Sequence, residues 1–205
     1  MAWGPFHSER LVYSSYSPNE HDEFFTTSQS DPNTLINSSP CLPRPADAKY
    51  LDSFLKQLLE TSILFVVIHI WHETRGRGEP IGMLFLTAAS PEMTHHRFSE
   101  LGIDITAEYR SQGYGREAIQ WALDWGFATA GLNRVELNLL GWNLRPMNLY
   151  ERIGFREEGR RRQVFFKDDQ WWDEVHMGIL KPEWESKRLA STLMDQEPSQ
   201  MAYSQ

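Results

Sequence analysis

At 205 residues, 40% apolar and 23% charged, the chain has enough bulk for one domain with a substantial core and does not require a second. A net charge of −8 argues against a general nucleic-acid binder, which needs a basic surface. The single cysteine, Cys41, excludes an intrachain disulfide, and no neighbouring Cys or His builds a metal site around it.

Met1 to Phe6 lacks the basic start and apolar run of a secretory leader. The apolar run Ile63 to Trp71 is shorter than the ~20 residues that span a bilayer. A soluble, cytoplasmic protein is expected, with neither membrane nor nucleic acid as partner.

Residues 1–8 are expected to form a loose tail, residues 9–180 the folded domain and residues 181–205 a polar extension, frayed or partly helical. Leu11-Val12-Tyr13 reads as a first strand, and Pro18 to Ser28 as a short helix. Asp31 to Pro45, rich in Pro, Ser and Asn, reads as a long loop. Asp47 to Leu59 has helical spacing through Leu51, Phe54, Leu55 and Leu58. Ile63–Trp71 and Pro80–Thr87 form a hairpin of β-branched and aromatic strands. The tandem His95-His96 on the next loop has no third ligand nearby and reads as solvated.

The stretch from Leu101 to Phe155 organises the rest. In the strand Phe98 to Ala107, Leu101, Ile103 and Ile105 share the core parity, and Glu100, Asp104 and Thr106 the other. A turn follows, Glu108 to Arg116, holding Gly113 and Gly115. A helical run starts at Glu117 and closes at Gly131. The strand Arg134–Leu140 puts Glu136 and Asn138 opposite Val135, Leu137 and Leu139. Asn143 stands where it can cap the helix that carries Tyr150. A strand followed by a glycine turn and a helix presents backbone N–H groups and a positive helix end to phosphate, and glycine permits positive φ and close approach.

Three phosphate readings compete. A P-loop needs a Lys-Ser/Thr pair after its last glycine, and none is present. A dinucleotide fingerprint could be spelled Gly113, Gly115, Ala118, but no early βαβ unit with a closing acidic residue accompanies it. A turn that merely connects two elements is the third.

Arg110-Ser111-Gln112-Gly113-Tyr114-Gly115 resembles the Arg/Gln-x-x-Gly-x-Gly/Ala pyrophosphate loop of the GNAT superfamily of acyl-CoA-dependent N-acyltransferases. Asn143, Tyr150 and Gly154-Phe155 resemble the family's Asn-x-x-Ala-x-x-x-Tyr-x-x-x-Gly-Phe block, with Pro146 in place of the usual Ala. Glu158-Gly159-Arg160 and Trp172 to Met177 are similar to the ribosomal-protein N-terminal acetyltransferase (Rim) branch. The resemblance covers about Ser99 to Leu180.

The resemblance implies an α/β fold: a mixed, mostly antiparallel central sheet with helices on both faces and splayed central strands. It implies acetyl-CoA as cosubstrate, its pantetheine on the strand backbone at Ile103, Asp104 and Ile105. The pyrophosphate would rest on the amides of Ser111, Gln112, Gly113, Tyr114, Gly115 and Arg116, with Arg110 and Arg116 adding charge. Asn143, Asn148 and Tyr150 complete the implied cofactor contacts. The acceptor it implies is a primary amine, either a protein N-terminus or a small molecule.

Amine acylation needs a base for the ammonium, stabilisation of the thioester oxygen, and an acid for the departing thiolate. A phenol is protonated at neutral pH, so Tyr150 suits the acid, with core packing as its bland alternative. Glu100 leads as base, with Glu136 and Asp104 behind it; each could instead be a surface carboxylate. A non-catalytic acyl-CoA-binding module acting as sensor or scaffold is the rival function. The aromatic strands Val164-Phe165-Phe166 and Trp171-Trp172 admit a homodimer.

Overall fold

The computed structural model describes residues 4–42, 44–45 and 47–196. The chain runs β1 (Leu11–Ser14), α1 (Pro18–Ser30), α2 (Pro32–Ser38), α3 (Ala48–Thr61), β2 (Ser62–His72), β3 (Gly76–Thr87) and β4 (Phe98–Ile105). It continues with α4 (Tyr114–Asp124), β5 (Arg134–Leu140), α5 (Leu144–Ile153), β6 (Arg156–Lys167), β7 (Gln170–Leu180) and α6 (Lys181–Gln196).

The seven strands lie in the order β1-β2-β3-β4-β5-β7-β6. Every pairing is antiparallel except that of β4 with β5. That parallel seam is short: Phe98↔Arg134, Ser99↔Val135 and Glu100↔Glu136. From Leu101 to Ile105, β4 pairs with β3 instead, through Leu86 to Gly82. Past Glu100 and Glu136 the two central strands therefore splay, as the sequence leads one to expect of this fold.

Helices cover both faces. Leu101 and Ile105 of β4, Val135 and Leu137 of β5 and Met177 and Ile179 of β7 share one core with Ala118, Ile119, Ala122 and Leu123 of α4. Met147, Tyr150 and Ile153 of α5 and Trp184 of α6 join the same core. Phe25 of α1 and Leu51 of α3 form a second cluster with Met83, flanked by Phe54 and Phe65. The alternation read from β4 holds: the apolar parity goes inward, and Ser99, only 1% exposed, is satisfied by donating to Thr87 O at 2.9 Å.

Three differences from the sequence reading have physical causes. The loop expected over 31–45 contains α2: the Asp31 side chain accepts from Thr34 N and Pro32 opens the first turn, a start signal hidden in a polar, Pro- and Ser-rich segment. The helix after Gly113 starts at Tyr114, three residues earlier than its apolar stripe suggests, and continues past Asp124 as a wide π turn, Trp125–Thr129. From Pro5 the expected tail is pinned, since Pro5 O accepts from Trp121 Nε1 at 3.1 Å and Ser8 Oγ donates to Glu117 at 2.7 Å. The extension, expected frayed or partly helical, is helical as α6, where Trp184 is 3% exposed and its Nε1 donates to Asp124 at 2.8 Å. Burying one such indole contributes about 2 kcal/mol or more. Residues 1–3 and 197–205 lie outside the described residues.

Candidate active site

The glycine turn folds as a cradle at the start of α4. Gly113 has φ +89 and Ser111 has φ +69, so two residues of the loop are left-handed. Gly115 is not: it lies in the first helical turn, where an added Cβ would meet only Ile105 Cγ1 at 3.8 Å. The expectation that both glycines serve positive φ is thus corrected to Gly113 alone. Ser111, Gln112 and Gly113 are exposed, as is Arg116. The first α4 amide tied to a loop carbonyl is that of Glu117, donating to Gly113 O at 3.1 Å. The turn before it offers backbone N–H groups to an anion at the positive end of the helix.

Two arginines that the sequence did not single out brace this loop. Arg10, just before β1, donates to Glu117 at 2.8 Å and to Gln112 O at 3.1 Å. Its guanidinium also lies over the Tyr114 ring at 4.7 Å. Arg145, in the first turn of α5, donates to Ser111 Oγ. No sequence pattern links residues 10 and 112 or 145 and 111; only the fold does.

Arg110 behaves differently from its expected role. Its Nε donates to Ile105 O at 2.6 Å, and its Nη2 to Thr34 Oγ1 at 2.9 Å and Asp104 at 3.4 Å. The side chain is turned toward α2 and β4, leaving Arg10, Arg116 and Arg145 as the cations beside the cradle.

The splay is lined by carboxylates. Glu100 and Glu136 stand opposite each other at its apex. Asn138 donates to Glu100 at 3.3 Å. The Glu100 side chain reaches solvent, yet protein rings its carboxyl. That burial first, and the Glu136 charge second, hold it above the ordinary carboxylate range, with Asn138 pulling the other way. Glu136 is itself paired with Arg134 at 2.7 Å.

Along the same sheet face, Asn138 pairs with His176 and Leu140 with Glu174. Glu174 lies 2.6 Å from Arg161 and 3.2 Å from His176. Arg134 also binds Glu158 across Gly178, where a Cβ would come within 2.8 Å of both side chains. Asp104, the third base candidate, is set apart: burial raises it, and Arg110 and Gln29 oppose the rise as direct partners.

On α5, Tyr150 is 6% exposed and packs edge-on to Phe155, with ring centroids 5.4 Å apart. Its hydroxyl has no hydrogen-bond partner among the described residues, and burial pushes its pKa up. The core packing named as the alternative role for this tyrosine is present, without a backbone carbonyl holding its hydroxyl among the described residues. Asn143 occupies the N-cap position of α5 but makes no side-chain cap, a correction to the expected role; its Nδ2 instead donates to Asn37 O of α2 at 3.1 Å. Asn148 is exposed. A depression lined by Glu151, Arg156 and Lys187 lies at the other end of α5 and includes none of these groups.

Among the described residues no group of three or more His, Cys, Asp or Glu could hold a metal, and no helix is long and apolar enough to cross a membrane.

Known proteins are similar to this chain. The chain is 34% identical over 89 residues to a spermidine N(1)-acetyltransferase of Vibrio cholerae, covering 43% of this chain and 51% of that protein. It is 30% identical over 84 residues to the [ribosomal protein uS5]-alanine N-acetyltransferase of Escherichia coli, covering 41% and 43%. The chain thus spans about half the length of the curated relatives it matches. In structure it is similar to a V. cholerae spermidine N-acetyltransferase solved with CoA and spermine, at TM-score 0.70 and 22% identity over 86% of this chain and 98% of that one. A GNAT-family acetyltransferase of Bacillus anthracis is similar at TM-score 0.70 and 21% identity, covering 87% and 99%. Both likenesses establish the fold. With the acetyltransferase (GNAT) domain matched over residues 10–156, cradle, splay and Asn143–Tyr150 helix included, the chain belongs to the GNAT family.

Proposed function

We propose that this protein transfers an acetyl group from acetyl-CoA to a primary amine by direct attack of the amine. The observation that carries this reading is the Glu100 carboxyl at the parting of β4 and β5, raised by burial and by Glu136. A raised carboxylate is a stronger base than a free one, which suits proton removal from an ammonium, directly or through one water. Tyr150, kept protonated by burial and with an unshared hydroxyl, is the donor for the departing sulfur. Acetyl-CoA, when bound, supplies the activated acyl group and the thiol leaving group. The amides of residues 111–116, with Arg116 and Arg145, would hold its pyrophosphate, and the β4 edge at Ile103 to Ile105 its pantetheine arm.

The surroundings favour a cationic acceptor. Glu100, Glu136, Glu158 and Glu174 gather on one half-sheet against Arg134 and Arg161. The relatives' names cover two acceptor types, spermidine and a ribosomal-protein alanine. The carboxylate excess favours the multiply charged small amine. The test is thiol release from acetyl-CoA across a panel of spermidine, spermine and alanine-starting peptides, where spermidine should lead. Acetyl-CoA binding with no amine-dependent thiol release would return the protein to a binding module. Self-association through the β6–β7 hairpin belongs to the same proposal, because Phe166 and Trp171 at its tip are each 59% exposed; sedimentation would report it.

A further inference from the structure

Arg110 is the residue that the loop motif would assign to phosphate, and Asp104 lies in the strand that would carry the pantetheine. Their side chains do something else. Asp104 accepts from Gln29 Nε2 of α1 at 3.1 Å and from Arg110 Nη2 at 3.4 Å. The same Nη2 donates to Thr34 Oγ1 of α2 at 2.9 Å, while Nε is fixed on Ile105 O at 2.6 Å. Thr34 is 4% exposed, and its Oγ1 also donates to Asp31 at 2.8 Å. The adjoining helices α1 and α2 and the distant end of β4 therefore converge on the Asp104–Arg110 pair, α1 through Asp104 and α2 through the guanidinium. Three residues on, one turn further along α2, Asn37 O accepts from Asn143 Nδ2 at the head of α5. The short helix α2 is thus tied to both lips of the splay, to the β4 lip through Arg110 and to the β5–α5 lip through Asn143.

We propose that Asp104 and Arg110 are positioning residues that clasp α2 at the acceptor side of the cleft, and that Arg110 serves this clasp rather than the pyrophosphate. A guanidinium forked onto a carbonyl, a carboxylate and a hydroxyl has a fixed plane and direction. Turning it toward the cradle would leave the half-buried Asp104 without its cation, which is costly. The carboxylate therefore holds the arginine inward, and the arginine holds Thr34. Asp104 in this role is not a base: its charge is already matched, whereas that of Glu100 is not. The inference rests on the acyl-transfer reading only for its kinetic arm.

The test uses Asp104→Asn, which keeps size and removes charge, and Thr34→Val, which keeps shape and removes the hydroxyl, with Thr34→Ser as the rescue. Hydrogen exchange of the protein without ligand should speed up over residues 32–38 in the first two variants and return to normal in Thr34→Ser. In Thr34→Val, acetyl-CoA affinity by calorimetry should stay within about threefold of wild type. In the same variant the KM of the best acceptor in the amine panel should rise about tenfold with kcat little changed, as loss of a positioning contact requires. The acidic limb of the pH–rate profile should stay in place in Asp104→Asn, since a base would carry it. Unchanged exchange over 32–38 in both variants overturns the clasp, as does acetyl-CoA binding weakened more than tenfold with the acceptor KM unmoved. A wild-type protein that fails to bind acetyl-CoA sinks the acyl-transfer reading, while the ligand-free exchange still decides the clasp.

Discussion

Glu100 and Glu136 face each other across the last rung that joins β4 to β5. Each charge there raises the cost of the other, and the Glu136 carboxylate is the second cause, after burial, of the high Glu100 pKa. A base works only when deprotonated, so activity should fall as pH drops through the raised Glu100 value. Glu136→Gln removes the neighbouring charge, which lowers the Glu100 pKa and should move the acidic limb of kcat/KM to lower pH. Glu100→Gln should flatten that limb and cut turnover by ~10²-fold or more. A limb that stays put in Glu136→Gln would separate the two carboxylates.

Tyr150→Phe keeps the ring and its edge contact with Phe155 but removes the hydroxyl proton. Acetyl-CoA affinity should be nearly unchanged and kcat reduced ~10²-fold or more, the usual loss for a positioned acid. Lost ground-state binding would instead raise KM with kcat kept. Wild-type turnover in this variant, with chemistry shown to be the slow step, would make Tyr150 a packing residue.

The two loop glycines should part company. Gly113→Val forces a β-branched residue to φ +89 and should weaken acetyl-CoA binding by ~10²-fold or more, with most of the fold retained. Gly115→Ala adds a methyl group where the nearest atom is 3.8 Å away, so affinity should stay within about threefold. Calorimetry on the two variants checks this. Ser111→Gly relaxes a left-handed serine and should hold or raise the melting temperature, a gain of up to ~1 kcal/mol offset by the freer unfolded chain.

A pH effect on stability is expected from α1 and β2. His21 and His69 are 0% and 1% exposed, with rings 5.3 Å apart. His21 Nδ1 accepts from Ser17 N at 2.9 Å; His69 meets Gly78 O and Ser14 Oγ, each at 3.0 Å. Burial is the first cause that lowers both pKa values; Arg77 adds to it, and Glu20 opposes it. The unfolded chain therefore binds more protons than the fold as pH falls from the ordinary histidine value, ~6.5, toward the depressed ones, and stability drops over that window. Melting temperatures between pH 7 and pH 5 should fall more steeply in wild type than in the double variant His21→Gln, His69→Gln. Equal slopes would remove the pair as the source.

The parts of the fold legible in the sequence were those with local signals. Leu101, Ile103 and Ile105 alternate, Gly113 marks a left-handed turn and Asp47 caps α3. Parity turned Glu100 and Glu136 away from the core, toward a cleft or merely water, but did not show that they are paired partners, because register is a tertiary property. The braces Arg10 and Arg145 were not legible, since each acts on a loop far away in sequence. Arg110 was read through its motif, yet the direction of its guanidinium depends on Thr34 and Asp104, two partners on separate elements. Helix α2 was missed for a different reason: its seven residues hold one adjacent apolar pair, Leu35-Ile36, too little to set a period, and only Asp31 and Pro32 announce them.

The seam between β4 and β5 has a further consequence. Three paired positions hold it, whereas the other strand pairs of the sheet run longer. A break in the chain at Gly131, just past the wide turn of α4, would leave strands β1 to β4 in one piece and β5 to β7 in the other, each an antiparallel set. Ala118, Ile119, Ala122 and Leu123 of the first piece share a core with Val135, Leu137 and Ile179 of the second. The two pieces, made together in one cell, should find each other through that core and copurify. The protein is in this sense two ribbons stitched at one corner, and a split reporter could be cut along the stitch.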